Sequence, residues 1–343
     1  MRLAALARTA LISGVCLGAV SCVTSGASRT TAAPDGDPVL SPSLTPQSTR
    51  TIELTQTPFY PEKGYQYGPA ALATVLGASG ATTTPAQLTA LVYLPSQDSS
   101  PQSQVQAAPQ RFERLSYQVL PTLPALLAEV EAQRPVLVLL QNHAPSSAGT
   151  RYYAVLIGYN AQTDTVLLRS GTTRRQVMTA RAFLVAWDNT ERWAMLILRP
   201  GELPAMANRT HYLAAAAEFE RGGRPENAML VFDAALKYWP DEPLAWIGHA
   251  TAQLHTGDLM AAARDYVTAL RIDGSNAAGR NDLVMTLLDL GCLHKAQSQI
   301  ARISLASLSE AQQAVIVATR DRVRSSARNL MAVEPPACAE FSY

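Results

Sequence analysis

The stretch Tyr65-Gln66-Tyr67-Gly68-Pro69-Ala70-Ala71-Leu72-Ala73-Thr74-Val75-Leu76 sets a polar side chain at the start of a helix. Pro69 suits a first turn, where a missing N–H costs nothing, and Ala70 to Leu76 are helix formers with Leu72, Val75 and Leu76 on one face. A group just ahead of such a start meets unpaired backbone N–H groups and the positive end of the helix dipole. That field activates a thiol by lowering its pKa. Here the group is the phenol of Tyr67, whose ordinary pKa of about 10 leaves roughly 0.1% ionised at neutral pH. The four cysteines are Cys16, Cys22, Cys292 and Cys338, so no thiol lies between Val23 and Gly291. His143 is the one histidine within residues 51–200; it reads as a solvated loop residue, with a displaced base as the alternative.

Those residues carry a resemblance. Tyr65 to Leu76, preceded by Thr57-Pro58-Phe59-Tyr60-Pro61, resembles the nucleophile motif of bacteriocin-processing peptidase-like domains of the papain-like superfamily, as found in bacterial lipoproteins that carry tetratricopeptide repeats. The family motif runs Tyr-Gln-Cys-Gly-Pro-Ala-Ala-Leu, and Tyr67 stands at its cysteine. The resemblance implies an α+β, papain-like fold with an antiparallel sheet. It also implies where the remaining chemistry would sit. Glu62 takes the oxyanion glutamine's place, and a carboxylate there repels a developing oxyanion. Tyr152, in Arg151-Tyr152-Tyr153-Ala154-Val155, takes the histidine's place, and Ser170 that of the orienting acid. With thiol, imidazole and oxyanion donor all replaced, no catalytic residue is expected. Tyr67 and Tyr152 would fill the space of the lost dyad. The alternative is a hydrolase with an altered nucleophile, in which the two phenols shuttle a proton.

The totals narrow the rest. The chain has 343 residues, 48% of them apolar, enough for about two domains. A net charge of +1 gives no case for nucleic acid. No Gly-rich phosphate loop occurs, and Glu62 and Asp164 lie on separate segments, so they give no paired-carboxylate spacing. His249 and His255 have the wrong spacing for two ligands on one helix face, so no metal and no cofactor are expected. Arg169, Arg174 and Arg175 read as a solvated basic edge, with a grip on an acidic partner as the alternative.

The elements follow. Residues 1–21 have the charged start and short apolar run of a secretory signal. Ala19-Val20-Ser21-Cys22 resembles a lipobox with Cys22 as lipid attachment site, which implies an outer-membrane anchor facing the periplasm. Residues 22–50 read as a Ser/Thr/Pro-rich tether. Within the peptidase-like residues 51–200, strands are expected at 51–59, 135–140, 152–159 and 165–169, helices at 67–76, 85–94 and 123–132, and a polar loop or lid at 94–108. Trp187 and residues 193–198 would close the domain.

Residues 208–308 repeat with a period of 34: Gly223, Gly257 and Gly291 share one column, Ala228, Ala262 and Ala296 another, Phe232, Tyr266 and Ile300 a third. Tyr212 aligns with Trp246, and Arg280 interrupts that aromatic column. The period resembles the tetratricopeptide repeat, in which small residues let paired helices approach and large ones fill the groove between them. Residues 309–333 read as a capping helix and 335–343 as a loose tail, from which Cys338 could pair with Cys292. The partner expected is a protein or peptide.

Overall fold

The computed structural model describes residues 50–62, 67–92, 101–141, 149–329 and 334–341. The expected signal segment, Cys16, Cys22, the tether and His143 lie outside them.

Among the described residues, seven strands form one sheet: β1 (Thr51–Glu53), β2 (Leu115–Gln118), β3 (Val136–Gln141), β4 (Arg151–Asn160), β5 (Thr165–Ser170), β6 (Thr173–Thr179) and β7 (Ala194–Leu198). Their order is β2-β7-β3-β4-β5-β6, with β1 paired to the far end of β4, and every described pairing is antiparallel. β3 and the middle of β4 are continuous apolar runs because helices cover both faces there. Leu139 and Tyr153 are register partners, as are Leu137 and Val155, and these share one face. Leu140, Tyr152 and Ala154 belong to the other.

Helices α1 (Tyr67–Ala78), α2 (Pro85–Val92) and α3 (Pro101–Ala107) follow β1, α4 (Leu123–Glu131) follows β2 and α5 (Ala180–Asp188) follows β6. α1 carries no charge in its first or last turn and is buried from Gly68 to Leu76, which makes it the central helix of the α+β half. α4 starts on Thr122, whose side chain accepts from the Ala125 N–H, and on Pro124.

Several expectations need correction. The first strand ends at Glu53, not at residue 59, because Thr55 and Thr57 turn the chain back onto Glu53 and Leu54 carbonyls and Pro58 has no N–H to pair. Within the polar stretch 94–108, α3 forms around one apolar side chain, Val105, which is fully buried. β6 went unanticipated because Thr173-Arg174-Arg175-Gln176 has no alternation; it is an exposed edge strand. α5 did have a signal, since Phe183, Ala186 and Trp187 recur at helical spacing and are buried.

Three helix pairs come next: α6 (Arg209–Glu220) with α7 (Pro225–Tyr238), α8 (Pro243–Thr256) with α9 (Leu259–Ile272), and α10 (Ala277–Asp289) with α11 (Leu293–Ala301). Asn208, Glu242, Asp258 and Asn276 cap starts at α6, α8, α9 and α10. Gly223, Gly257 and Gly291 occupy the turn inside each pair at φ of 75°, 89° and 79°. A Cβ at Gly223 or Gly257 would meet nothing within 4 Å, so their task is the left-handed turn rather than close approach. Close approach falls to Gly248, where a Cβ would lie 2.2 Å from Phe232 Cζ. Ala228, Ala262 and Ala296 are fully buried between paired helices. Arg280, in the aromatic column, is buried by reaching Gln299 Oε1 at 2.5 Å and the Gly274 carbonyl at 2.7 Å.

α12 (Glu310–Asn329) follows the third pair. The tail is not loose: Pro336–Phe341 forms a 3-10 turn that buries Phe341, and a disulfide joins Cys338 to Cys292.

The two halves are one compact unit, and the boundary between cores does not fall near residue 200. One core runs from Leu54 through the sheet and on to Ala252; a second takes over from Ala250 to Phe341. Tyr117 of β2 sits at the seam, its hydroxyl donating to the Met206 carbonyl and accepting from the Asn208 N–H. Arg224 Nη1 donates to the Gln110 carbonyl across it at 2.5 Å.

Candidate functional site

The chain leaving β1 crosses the sheet face that bears Tyr153 and Val155. Leu54 first donates to the Ile157 carbonyl at 2.8 Å, prolonging the pairing with β4. The segment then passes over β5, where Arg169 Nη2 donates to the Thr55 carbonyl and the guanidinium lies 5.9 Å from the Phe59 ring centre. At its far end the Glu62 N–H donates to the Gly171 carbonyl, 3.2 Å. Tyr60 hydroxyl reaches the Thr83 carbonyl at 3.5 Å, and Pro58 packs against the position of Gly77. The segment is therefore pinned to the β5–β6 turn on one side and to α1 on the other.

Between them lies a cleft lined by Phe59, Tyr60, Ala70, Ala71, Thr74, Tyr153, Arg169 and Ser170. Its volume is about 10 Å³, room for one water-sized group. Neither thiol nor imidazole nor carboxylate lines it among the described residues.

Of the expected positions, Tyr67 is the first residue of α1, Glu62 ends the pinned segment and Ser170 lines the cleft. Tyr152 does not. Strand alternation puts it on the opposite face with Ala154, and its neighbour Tyr153 lines the cleft instead. Tyr153 also meets Trp193 edge-on, centroids 5.7 Å apart. Burial pushes the Tyr152 phenol above its ordinary pKa, away from any role as a base.

Arg169 is the correction to the basic edge. It is 5% exposed, whereas Arg174 and Arg175 are on the surface. Its Nη1 donates to the Arg174 carbonyl at 2.9 Å and its Nε has no acceptor among the described residues. Glu53, an acid on β1, is held by Arg175 at 3.0 Å. Burial, and then the charge of Arg174, pull the Arg169 pKa down from its usual value, against the weaker pull of Glu53. A single Arg after Val166-Leu167-Leu168 was the available signal: it continues a buried strand.

The helical half gathers polar groups differently. His249 Nδ1 lies 2.6 Å from Asp265 Oδ2 and its Nε2 3.5 Å from Asp233 Oδ1, tying α8 to α9 and α7. The Asp265 hydrogen bond raises the His249 pKa, opposed by desolvation. His255 lies 3.5 Å from Glu220. Among the described residues no group of three or more His, Cys, Asp or Glu is placed to hold a metal ion, and no helix is long and apolar enough to cross a membrane.

No protein-family model and no curated protein matches the chain. Among solved structures, the chain is similar to a crystal structure of a Bacillus anthracis protein described as a C39-like peptidase. The two are 14% identical, with a TM-score of 0.37, over 44% of this chain and 98% of that one.

Proposed function

We propose that this chain is a non-catalytic binding protein of the bacterial cell envelope, built from a peptidase-like domain of the bacteriocin-processing type and tetratricopeptide-like helix pairs. The observation that carries this reading is the cleft beside α1. The motif around Tyr67 resembles a thiol peptidase, yet the described lining offers no thiol, imidazole or carboxylate. What remains is a surface beside a helix start and a sheet, suited to holding a segment of protein or peptide without cutting it. The 34-residue spacing of Gly223, Gly257 and Gly291 supports the repeat assignment, and repeats of that kind present extended surfaces to partners. Neither nucleic acid nor a metal or cofactor enters this reading.

The anchor is part of the same proposal. Cys22 carries a lipid and holds the chain at the outer membrane, in the periplasm. Cys22→Ser should release the protein from the membrane fraction and abolish labelling with a palmitate analogue; unchanged fractionation and labelling would reject the anchor.

The binding role is tested with the full chain and a peptide library, scored at once for retention and for cleavage. Retained, intact peptides support the reading. A hydrolase in which Tyr67 and Tyr152 share a proton has less support, because strand alternation turns Tyr152 to the face away from the cleft.

A further inference from the structure

Among the described residues, no carboxylate pairs with the buried guanidinium of Arg169. Its two terminal nitrogens donate to neutral backbone carbonyls, of Arg174 and Thr55, and Nε has no acceptor among the described residues. The side chains facing it are Phe59, Arg174 and, from β1, Glu53, whose two oxygens both bind Arg175 Nε at 3.0 Å. Stacking on a ring offsets only part of the cost of burying a guanidinium. The cleft Arg169 lines is also walled by the first two turns of α1, a helix of 12 residues with no acid in its first turn. Its positive end therefore adds to the guanidinium's field instead of cancelling it. Two sources of positive potential converge on a space of about 10 Å³, enough for one oxygen.

We propose that this cleft binds a carboxylate of the peptide ligand, with Arg169 as its counter-ion. The inference rests on the binding role proposed above and names the chemistry recognised there. One carboxylate oxygen enters between Phe59, Thr74 and Ser170 and faces the guanidinium. Ala70 and Ala71 leave the space open because a larger side chain on that face of α1 would fill it. The carboxylate comes from a peptide C-terminus or from an Asp or Glu side chain.

The test follows the Arg169 Nε–H signal by nuclear magnetic resonance in the full chain at low salt, assigned through Arg169→Gln. The probes are N-acetyl-alanine (terminal carboxylate), N-acetyl-glutamate amide (side-chain carboxylate) and N-acetyl-alanine amide (neutral). A saturable shift with at least one acid, at least tenfold weaker with the neutral amide and lost in Arg169→Gln, is expected, since a charge-assisted pair is worth about tenfold or more. The tighter acid identifies the source. Should Arg169→Gln unfold, Arg169→Lys replaces it and should keep a weakened acid-dependent shift at Thr74. Equal shifts with acid and neutral probes, or no shift because a buried water holds Nε–H, overturn the proposal. A library peptide retained equally by wild type and Arg169→Gln overturns it too, while leaving the binding role standing.

Discussion

The Glu62 N–H donates to the Gly171 carbonyl at 3.2 Å, so the segment ahead of α1 is tied to the turn that follows Ser170. Two positions that the peptidase resemblance assigns to oxyanion binding and imidazole orientation are thereby neighbours in space, although they are far apart in sequence. The third, Tyr152, faces the other side of β4.

That geometry predicts which histidine would serve a restored thiol. With Tyr67→Cys and Glu62→Gln in place, Tyr153→His should depress the thiol pKa and speed alkylation by iodoacetamide at neutral pH by roughly tenfold or more. Tyr152→His on the same background should leave the rate near that of the thiol alone. The measurement is the pH profile of alkylation. Activation by the histidine at 152 and not at 153 would reverse the face assignment.

Glycines of two kinds should behave differently. Gly248→Ala puts a Cβ into the Phe232 ring and should destabilise by about 1–3 kcal/mol through overpacking. Gly223→Ala meets no neighbour and should cost about 1–2 kcal/mol, from the left-handed backbone alone. Gly223→Asn should recover much of that loss, while Gly248→Asn should not. Denaturant unfolding of the four variants reads this directly.

The helical half should respond to pH through His249 and Asp282. The raised His249 pKa means its stabilisation is fully present below about pH 6.5 and is lost as pH rises through the folded value. His249→Gln should therefore cost more at about pH 6 than at about pH 9. Burial pushes Asp282 up to about 6, so its contribution is present below its unfolded pKa of about 4 and is lost as pH rises through about 6. Asp282→Asn should then stabilise the protein at neutral pH. Melting temperatures across that range check both signs.

The disulfide closes a loop with a sequence separation of 46 residues. Chain entropy puts its contribution at about 4 kcal/mol, with less expected in practice. Cys338→Ser and dithiothreitol-reduced wild type should lose stability by similar amounts, about 2–4 kcal/mol, on denaturant unfolding. A reduced wild type as stable as the oxidised one would refute this.

How much of this was legible in the sequence depends on where periodicity carries information. α1, β3, β4, β5 and the three helix pairs could be read because their apolar spacing or 34-residue period reports burial directly. β6 and α3 could not, because an exposed edge strand and a helix buried at Val105 alone have little apolar pattern to show. The site was half legible. The motif placed Tyr67 at a helix start, but whether Tyr152 or Tyr153 faces that helix depends on strand register, and a shift of one residue exchanges the faces. Arg169 was misread because charge alone suggests a surface, while its run with Val166-Leu167-Leu168 belongs to a buried strand. The seam at Tyr117 was invisible, since its partners Met206 and Asn208 lie in a connection with no pattern of its own.

The most direct measurement incubates the full chain with a peptide library and follows both bound and cleaved peptides by mass spectrometry. A protein that holds peptides without cutting them should give saturable retention with every retained peptide intact, and Tyr67→Phe should change neither reading. Cleavage products that accumulate with time and disappear in Tyr67→Phe would contradict the account.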